Sequence, residues 1–303
     1  MSFVAGVGLI NVDLIYSGFN ALPLEGQEGL AKDFCIRLGG GVVATMALLG
    51  NLGVHAKVCT YYGTDLFSGY AERELSALPV EVENLYGQHR GIPLSVTSVA
   101  ITPNDRTFWS YLDQPATTEA DMDRIYRRFR GARVVEMQPG YLPVYRRLKQ
   151  DGCMLVLDMG WDEEMNIGKY EEYLQLADYY APNRAEALKI TQAATLDEAA
   201  QRLHQYFNKV IIKLDSEGCL VLEAGRRYVV GSIPAYTKVD STGAGDAFLA
   251  GFIYGLYHGA SLAECVLYGN IAGGNCVAQV GCLASPLSEA ELLKLAGTYR
   301  HFI

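Results

Sequence analysis

The chain has 303 residues, 50% of them hydrophobic, with 25 Lys and Arg against 34 Asp and Glu. This composition excludes a disordered tail, a fibrous repeat and a disulfide mini-protein, and the length allows about two domains of ~150 residues or one large sheet-based domain. The net charge of −9 is spread along the sequence, and no window gathers enough Lys or Arg to track a polyphosphate backbone, so nucleic acid is not an expected partner.

In chain order, segment 1–9 has no basic residue ahead of its apolar run and reads as a first buried strand rather than a signal sequence. Runs rich in Val, Ile and Leu at 3–10, 56–62, 133–137, 154–158, 178–181 and 210–214 read as strands buried on both faces. Between them, 66–78, 120–129, 171–176, 196–207 and 262–276 carry apolar residues at helical spacing. This alternation predicts a three-layer α/β/α fold with a mainly parallel central sheet, in one domain over 1–303. The run 247–257 is interrupted by Gly and shorter than the ~20 residues of a spanning helix, so no membrane partner is expected. Seven Cys without a Cys-x-x-Cys pair, and five scattered His, argue against a disulfide framework or a zinc site. A cytoplasmic protein with buried thiols is the expectation.

Two stretches break the alternation. Segment 14–38 is loop-rich and then strand-like over 30–36; segment 89–113 contains a hairpin that turns at Thr102-Pro103-Asn104-Asp105 and returns through Phe108, Trp109 and Tyr111. They read as parts of one small β-sheet lid over the ends of the parallel strands, with a plain surface excursion as the alternative. An exposed lid edge would also pair two chains, which predicts a homodimer.

The chemistry concentrates in Asp240-Ser241-Thr242-Gly243-Ala244-Gly245-Asp246-Ala247-Phe248, a loop that opens a helix. The first amides of a helix lack intrahelical partners and its N-terminus is positive, so an oxyanion there finds donors and a favourable field. Gly243 and Gly245 let the backbone approach, with Ala244 between them, and Asp246 in the same turn is the candidate base. The same residues also suit a plain helix cap, with Asp246 complementing the dipole. Local pattern leaves both readings open.

The string 240–248 resembles the C-terminal signature of the ribokinase-like (PfkB) carbohydrate kinases, and Gly39-Gly40-Gly41 through Gly53 resembles the N-terminal one. Tyr62-Gly63-Thr64-Asp65 is similar to the family's Gly-Asp-Asp turn, and Asn183-Arg184-Ala185-Glu186 to its Asn-x-x-Glu motif, all in the family's order. The resemblance implies transfer of the γ-phosphoryl of ATP to a hydroxyl of a sugar, a primary one for preference, with Asp246 as base and the 243–245 amides as anion hole. It implies Mg²⁺ placed through water by Asn183 and Glu186, and a K⁺-type monovalent cation held by Asp240, Thr242, Gly281 and Ser285. ATP contacts fall on Lys213, Gly218 and Asn270, and sugar contacts on Asn11, Asp13, Gly39, Gly40, Gly41 and Thr45. Ala44 stands where many members carry Asn, and Asp215 where Gly is usual.

Each assignment has a plainer counterpart. Asn183 and Glu186 also fit a capping box, Lys213 a solvated strand end, the three glycines a tight strand-to-helix turn, and the lid aromatics packing between strands. Gly39-x-Gly41-x-x-Ala44 formally fits a dinucleotide fingerprint, which would make a Rossmann-type oxidoreductase the weaker alternative, but a long excursion precedes it and 61–65 fits poorly as the acidic position about 20 residues on. A non-catalytic sugar sensor on the same fold is the alternative from another class.

Overall fold

The computed structural model describes residues 2–86, 91–104, 106–113 and 116–303. In chain order its first part holds β1 (Val4–Val7), β2 (Asn11–Ser17), β3 (Asp33–Leu38), α1 (Val42–Asn51), β4 (Ala56–Thr60), α2 (Leu66–Ser76) and β5 (Glu81–Asn84). The middle holds β6 (Ser95–Ile101), β7 (Arg106–Tyr111), α3 (Glu119–Phe129), β8 (Val134–Met137), α4 (Leu142–Gln150), β9 (Met154–Leu157), α5 (Ile167–Leu176) and β10 (Tyr179–Tyr180). The last part holds α6 (Arg184–Thr191), α7 (Leu196–Leu203), β11 (Lys209–Lys213), β12 (Cys219–Glu223), β13 (Arg226–Val230), α8 (Ala244–His258), α9 (Leu262–Val277) and α10 (Glu289–Thr298).

Six parallel strands in the order β10-β9-β8-β1-β4-β5 make the central sheet. β11, β12 and β13 form an antiparallel sheet beside β10, tied by the Lys213 amide donating to the Pro182 carbonyl at 2.8 Å. Because side chains alternate across a strand, Val4, Val134 and Val156 enter one core with α1, α8, α9 and α10. Ala5, Val135 and Leu155 enter the other, with α3 to α7. Burial on both faces is what made these runs continuously apolar. α8 is buried nearly all round and lies close to α9: a Cβ on Gly251 would meet the Tyr268 carbonyl oxygen at 2.3 Å. Among the described residues, no helix is long and apolar enough to cross a membrane.

The two excursions join as expected, in a separate sheet ordered β3-β2-β6-β7. The seam is a parallel pairing of β2 with β6, Asp13 opposite Thr97, flanked by antiparallel β3 and β7. One boundary differs from expectation. The run 3–10 is strand only to Val7, and the stretch taken as loop from residue 14 belongs to strand β2, which begins at Asn11. The chain leaves the central sheet at Gly8 and Leu9 and re-pairs in the second sheet, a change of partner that an unbroken apolar pattern does not register. Residues 89, 90 and 105 of the expected lid lie outside the described residues.

Candidate active site

Open parallel sheets present their ligand sites at the carboxyl ends of the strands. Here the chain leaving β1 enters β2 with Asn11 and Asp13, Asp158 follows β9, β10 leads to Asn183, and β11 ends at Lys213. Asp246 lies in the first turn of α8, and the N-terminus of α1 faces it. α1 has no acidic residue in its first turn and no side-chain cap, since Gly41 is its N-cap. The Asp246 carboxylate fills that role by accepting the Gly41 amide, so two helix N-termini converge on one side chain. Burial, reinforced by Asp158, nevertheless pushes Asp246 up to about 6, against the pull of the Gly41 amide and the Lys213 ammonium. The group remains partly exposed.

The glycines at 39 and 40 are explained by contact. A Cβ on Gly40 would lie 2.2 Å from Asp246 Oδ2, and one on Gly39 would lie 2.8 Å from Asp13 Oδ2. Consecutive residues therefore seat two carboxylates from opposite ends of the chain. Gly243, at φ 74, caps α8 in a left-handed conformation, and its neighbour across the loop is Cys282, 2.4 Å from where a Cβ would stand.

Asp13 is 3% exposed and pushed up to about 6 by burial, opposed by the hydrogen bond from Asn11 Nδ2 at 2.7 Å. Asn11 is held in turn by the Thr97 hydroxyl at 3.0 Å, and Thr97 by Ser110 at 2.9 Å. This chain of bonds runs across β2, β6 and β7 and fixes the orientation of Asp13 from the second sheet. Thr45 departs from the expected sugar contact. It is 0% exposed, and its hydroxyl bonds back to the Gly41 carbonyl at 3.4 Å and to that of Asp246 at 3.5 Å, linking α1 to α8.

Period-two alternation also corrects the lid aromatics. Ser110 faces Thr97, so Arg106 and Phe108 share its face, toward the body, while Trp109 and Tyr111 turn to the outer face with Tyr16 and Phe34. Only Phe108 of the three is on the inner side.

Lys213 is not a solvated strand end. Its Nζ would lie 3.5 Å from a Cβ on Gly245, and its charge acts on both Asp246 and Glu186. Asp215 takes φ 53, a left-handed conformation that Gly adopts freely and Asp tolerates. Gly218 closes the same turn at φ 93. Asn270, an expected ATP contact, spends its amide within the protein: Nδ2 donates to the Val230 and Gly231 carbonyls at 3.0 and 2.9 Å, and Oδ1 accepts from Cys219.

Asn183 and Glu186 form the reciprocal capping box of α6, each accepting the other's backbone amide, at 2.9 and 2.8 Å. Burial raises the Glu186 carboxyl above its ordinary value, with Asp158 adding to the rise and Lys213 opposing it. Among the described residues, no three acidic, His or Cys side chains converge to cage an ion. A loose rim of Asp158, Glu186 and Asn183 suits Mg²⁺, which keeps its waters and binds few protein ligands directly.

The Asp240 carboxylate and the Ser285 carbonyl, expected to help hold a monovalent cation, are already taken by donors of the protein. Asp240 Oδ1 accepts from the Thr242 amide at 2.9 Å, the Thr242 hydroxyl at 2.7 Å and Arg106 Nη1 at 2.8 Å. Its Oδ2 accepts the Gly281 amide at 3.2 Å. The Ser285 carbonyl is taken by the side-chain amides of Asn275 and Gln279, each at 2.9 Å. Donors surround the carboxylate where a cation would need oxygens.

Three residues escaped the sequence reading. Asp158 ends a buried strand, a position at which a carboxylate is itself a signal. Glu136 hides inside the apolar run of β8, fully buried and near enough to Asp246 and Asp158 for their charges to act on it. Arg106 stood beside the hairpin turn, and nothing in the linear pattern joins it to a loop 134 residues away.

A solved structure of Arabidopsis thaliana ribokinase, complexed with ribose and ATP, matches this fold with a TM-score of 0.79 at 24% identity, covering 97% of this chain and 99% of that one. The family model described as pfkB family carbohydrate kinase matches residues 1–290, and the chain belongs to that family. Among curated relatives, an uncharacterized sugar kinase of Archaeoglobus fulgidus is 35% identical over 119 residues, 39% of this chain and 47% of that protein. The sequence of Arabidopsis thaliana ribokinase is 30% identical over 161 residues, 51% of this chain and 42% of the relative. The matched stretches thus span under half of either relative's length.

Proposed function

We propose that this protein transfers the γ-phosphoryl group of ATP to a hydroxyl, a primary one for preference, of a sugar or sugar derivative. The observation that carries the reading is the seating of Asp246 and Asp13 against adjacent glycines, beside a helix N-terminus with Lys213 at its mouth. Asp13, oriented by Asn11, accepts sugar hydroxyls, and the Gly39 to Gly41 backbone borders the same space. Asp246 takes the proton of the attacking hydroxyl as the bond to phosphorus forms. The amides of Gly243, Ala244 and Gly245, with Lys213, neutralise charge on the migrating phosphoryl, a task that in phosphoryl transfer is most of the catalysis. Asn183, Glu186 and Asp158 would hold Mg²⁺ through its waters; when bound, it shields the phosphate charges. The β3-β2-β6-β7 sheet acts as the lid that excludes water, and its apolar outer face, with Phe34 and Trp109, is where two chains pair.

The test is phosphate transfer from radiolabelled ATP to a panel of sugars and sugar derivatives, with Asp246→Asn alongside. Transfer to at least one sugar, lost by several orders of magnitude in Asp246→Asn while ATP affinity stays within a few fold, is expected. Sugar binding by calorimetry with no transfer to any member of the panel supports the sensor reading instead.

A further inference from the structure

Asp240 is a buried carboxylate, its side chain 3% exposed, at the root of the anion-hole loop. An ionised carboxylate removed from water needs both charge compensation and hydrogen bonds. The loop's own groups supply the bonds, through Thr242 and Gly281. The charge comes from elsewhere: Arg106, on lid strand β7, reaches in with a side chain 21% exposed. Its Nη1 donates to Asp240 Oδ1 at 2.8 Å and to the Thr242 hydroxyl, and its Nη2 donates to Ser241 Oγ at 2.8 Å. One guanidinium thus binds three consecutive residues of the segment that leads into Gly243. Planar fork geometry makes arginine suited to this; a lysine ammonium offers a point charge and no fork.

We propose that Arg106 is the built-in counter-ion of the anion-hole loop, a positioning residue that fixes 240–242 from the lid and makes an added monovalent cation unnecessary. It rests on the kinase reading only for the use to which the loop is put. Two consequences follow from the geometry. The loop takes its order from a lid strand, so lid and phosphate site are mechanically joined. Removing the guanidinium leaves an uncompensated buried carboxylate with neighbouring hydroxyl and carbonyl oxygens, which is a site for K⁺.

The test uses the full chain and two readouts. Thermal unfolding is measured in KCl and in choline chloride at equal ionic strength, for wild type, Arg106→Met and Arg106→Lys. For wild type the two salts give melting temperatures within roughly 1 °C, because no cation site remains to be filled. Arg106→Met melts lower in choline chloride and regains roughly 2 °C or more in KCl, while Arg106→Lys recovers part of the loss and shows a smaller KCl effect. Wild type that is selectively stabilised by KCl overturns the proposal, and so does an Arg106→Met protein equally stable in both salts. If Arg106→Met does not fold, the wild-type comparison still decides. With any sugar that is phosphorylated, wild-type kcat is the same in both salts within about twofold, and that of Arg106→Met becomes K⁺-dependent. Absence of transfer to every sugar overturns the kinase reading and leaves the melting result, and the proposal, standing or falling alone.

Discussion

Gly40→Ala isolates the placement of Asp246, the proposed base, from its chemistry. The added Cβ would stand 2.2 Å from Asp246 Oδ2 and 3.3 Å from its Cγ, where ordinary contact begins near 3.4 Å. The carboxylate must retreat by about 1.2 Å, and it cannot do so while keeping the Gly41 amide that anchors it. A misplacement of that size at a reacting group is worth about 10²-fold in rate, so kcat falls by roughly that factor. ATP is held by other groups, so its dissociation constant, read by calorimetry, stays within about threefold. Stability falls by no more than the ~1–3 kcal/mol of an overpacked site. Gly69→Ala is the control: that glycine is exposed on α2, a Cβ there meets nothing within 4 Å, and the change leaves kcat alone while stabilising by ~0.5–1 kcal/mol. Because both act on one group, Gly40→Ala adds no further loss to Asp246→Asn. The reasoning is refuted if Gly40→Ala turns over within about threefold of wild type, measured by coupled ADP release.

The same carboxylate sets a pH dependence: as the proposed base Asp246 must be deprotonated, and it is held at about 6, so kcat/KM is expected to decline as pH drops through that value and to level above it, and a profile flat down to pH 5 would contradict the assignment. Glu136 governs stability in the opposite sense to a salt-bridged acid. Burial raises its carboxyl far above 4.5, so the folded chain keeps a proton that the unfolded chain releases, and stability is lost as pH rises above 4.5. Glu136→Gln, which cannot ionise, flattens that slope in melting curves taken from pH 5 to 8; an unchanged slope excludes Glu136 as its source. If the proposed pairing through the outer face holds, placing Lys at both Trp109 and Tyr111, where they are 56% and 49% exposed, yields a monomer by light scattering without lowering the melting temperature, and a wild type that is itself monomeric refutes the pairing.

The central sheet, the two-sided helical layers and the Gly-rich turn that opens α8 were legible in the chain because each is a local or periodic property. Continuous Val, Ile and Leu runs report burial on both faces, and a Gly-rich loop before a helix reports free amides wherever it occurs. Alternation within β7 was legible too, yet which of its faces met the body was not, because a strand's parity carries no direction until its partners are known. The same limit hid the switch of sheets at Gly8, the retreat of Thr45 into the α1–α8 contact, and the buried Glu136 whose one carboxylate is lost in an apolar run. Electrostatics depended still more on the folded chain. Arg106 and Asp240 are remote in sequence, and only the folding of the lid onto the body put a guanidinium where a free cation was expected. Composition and periodicity fix what each segment can become; charge pairing is set by distance in space, which the order of residues does not contain.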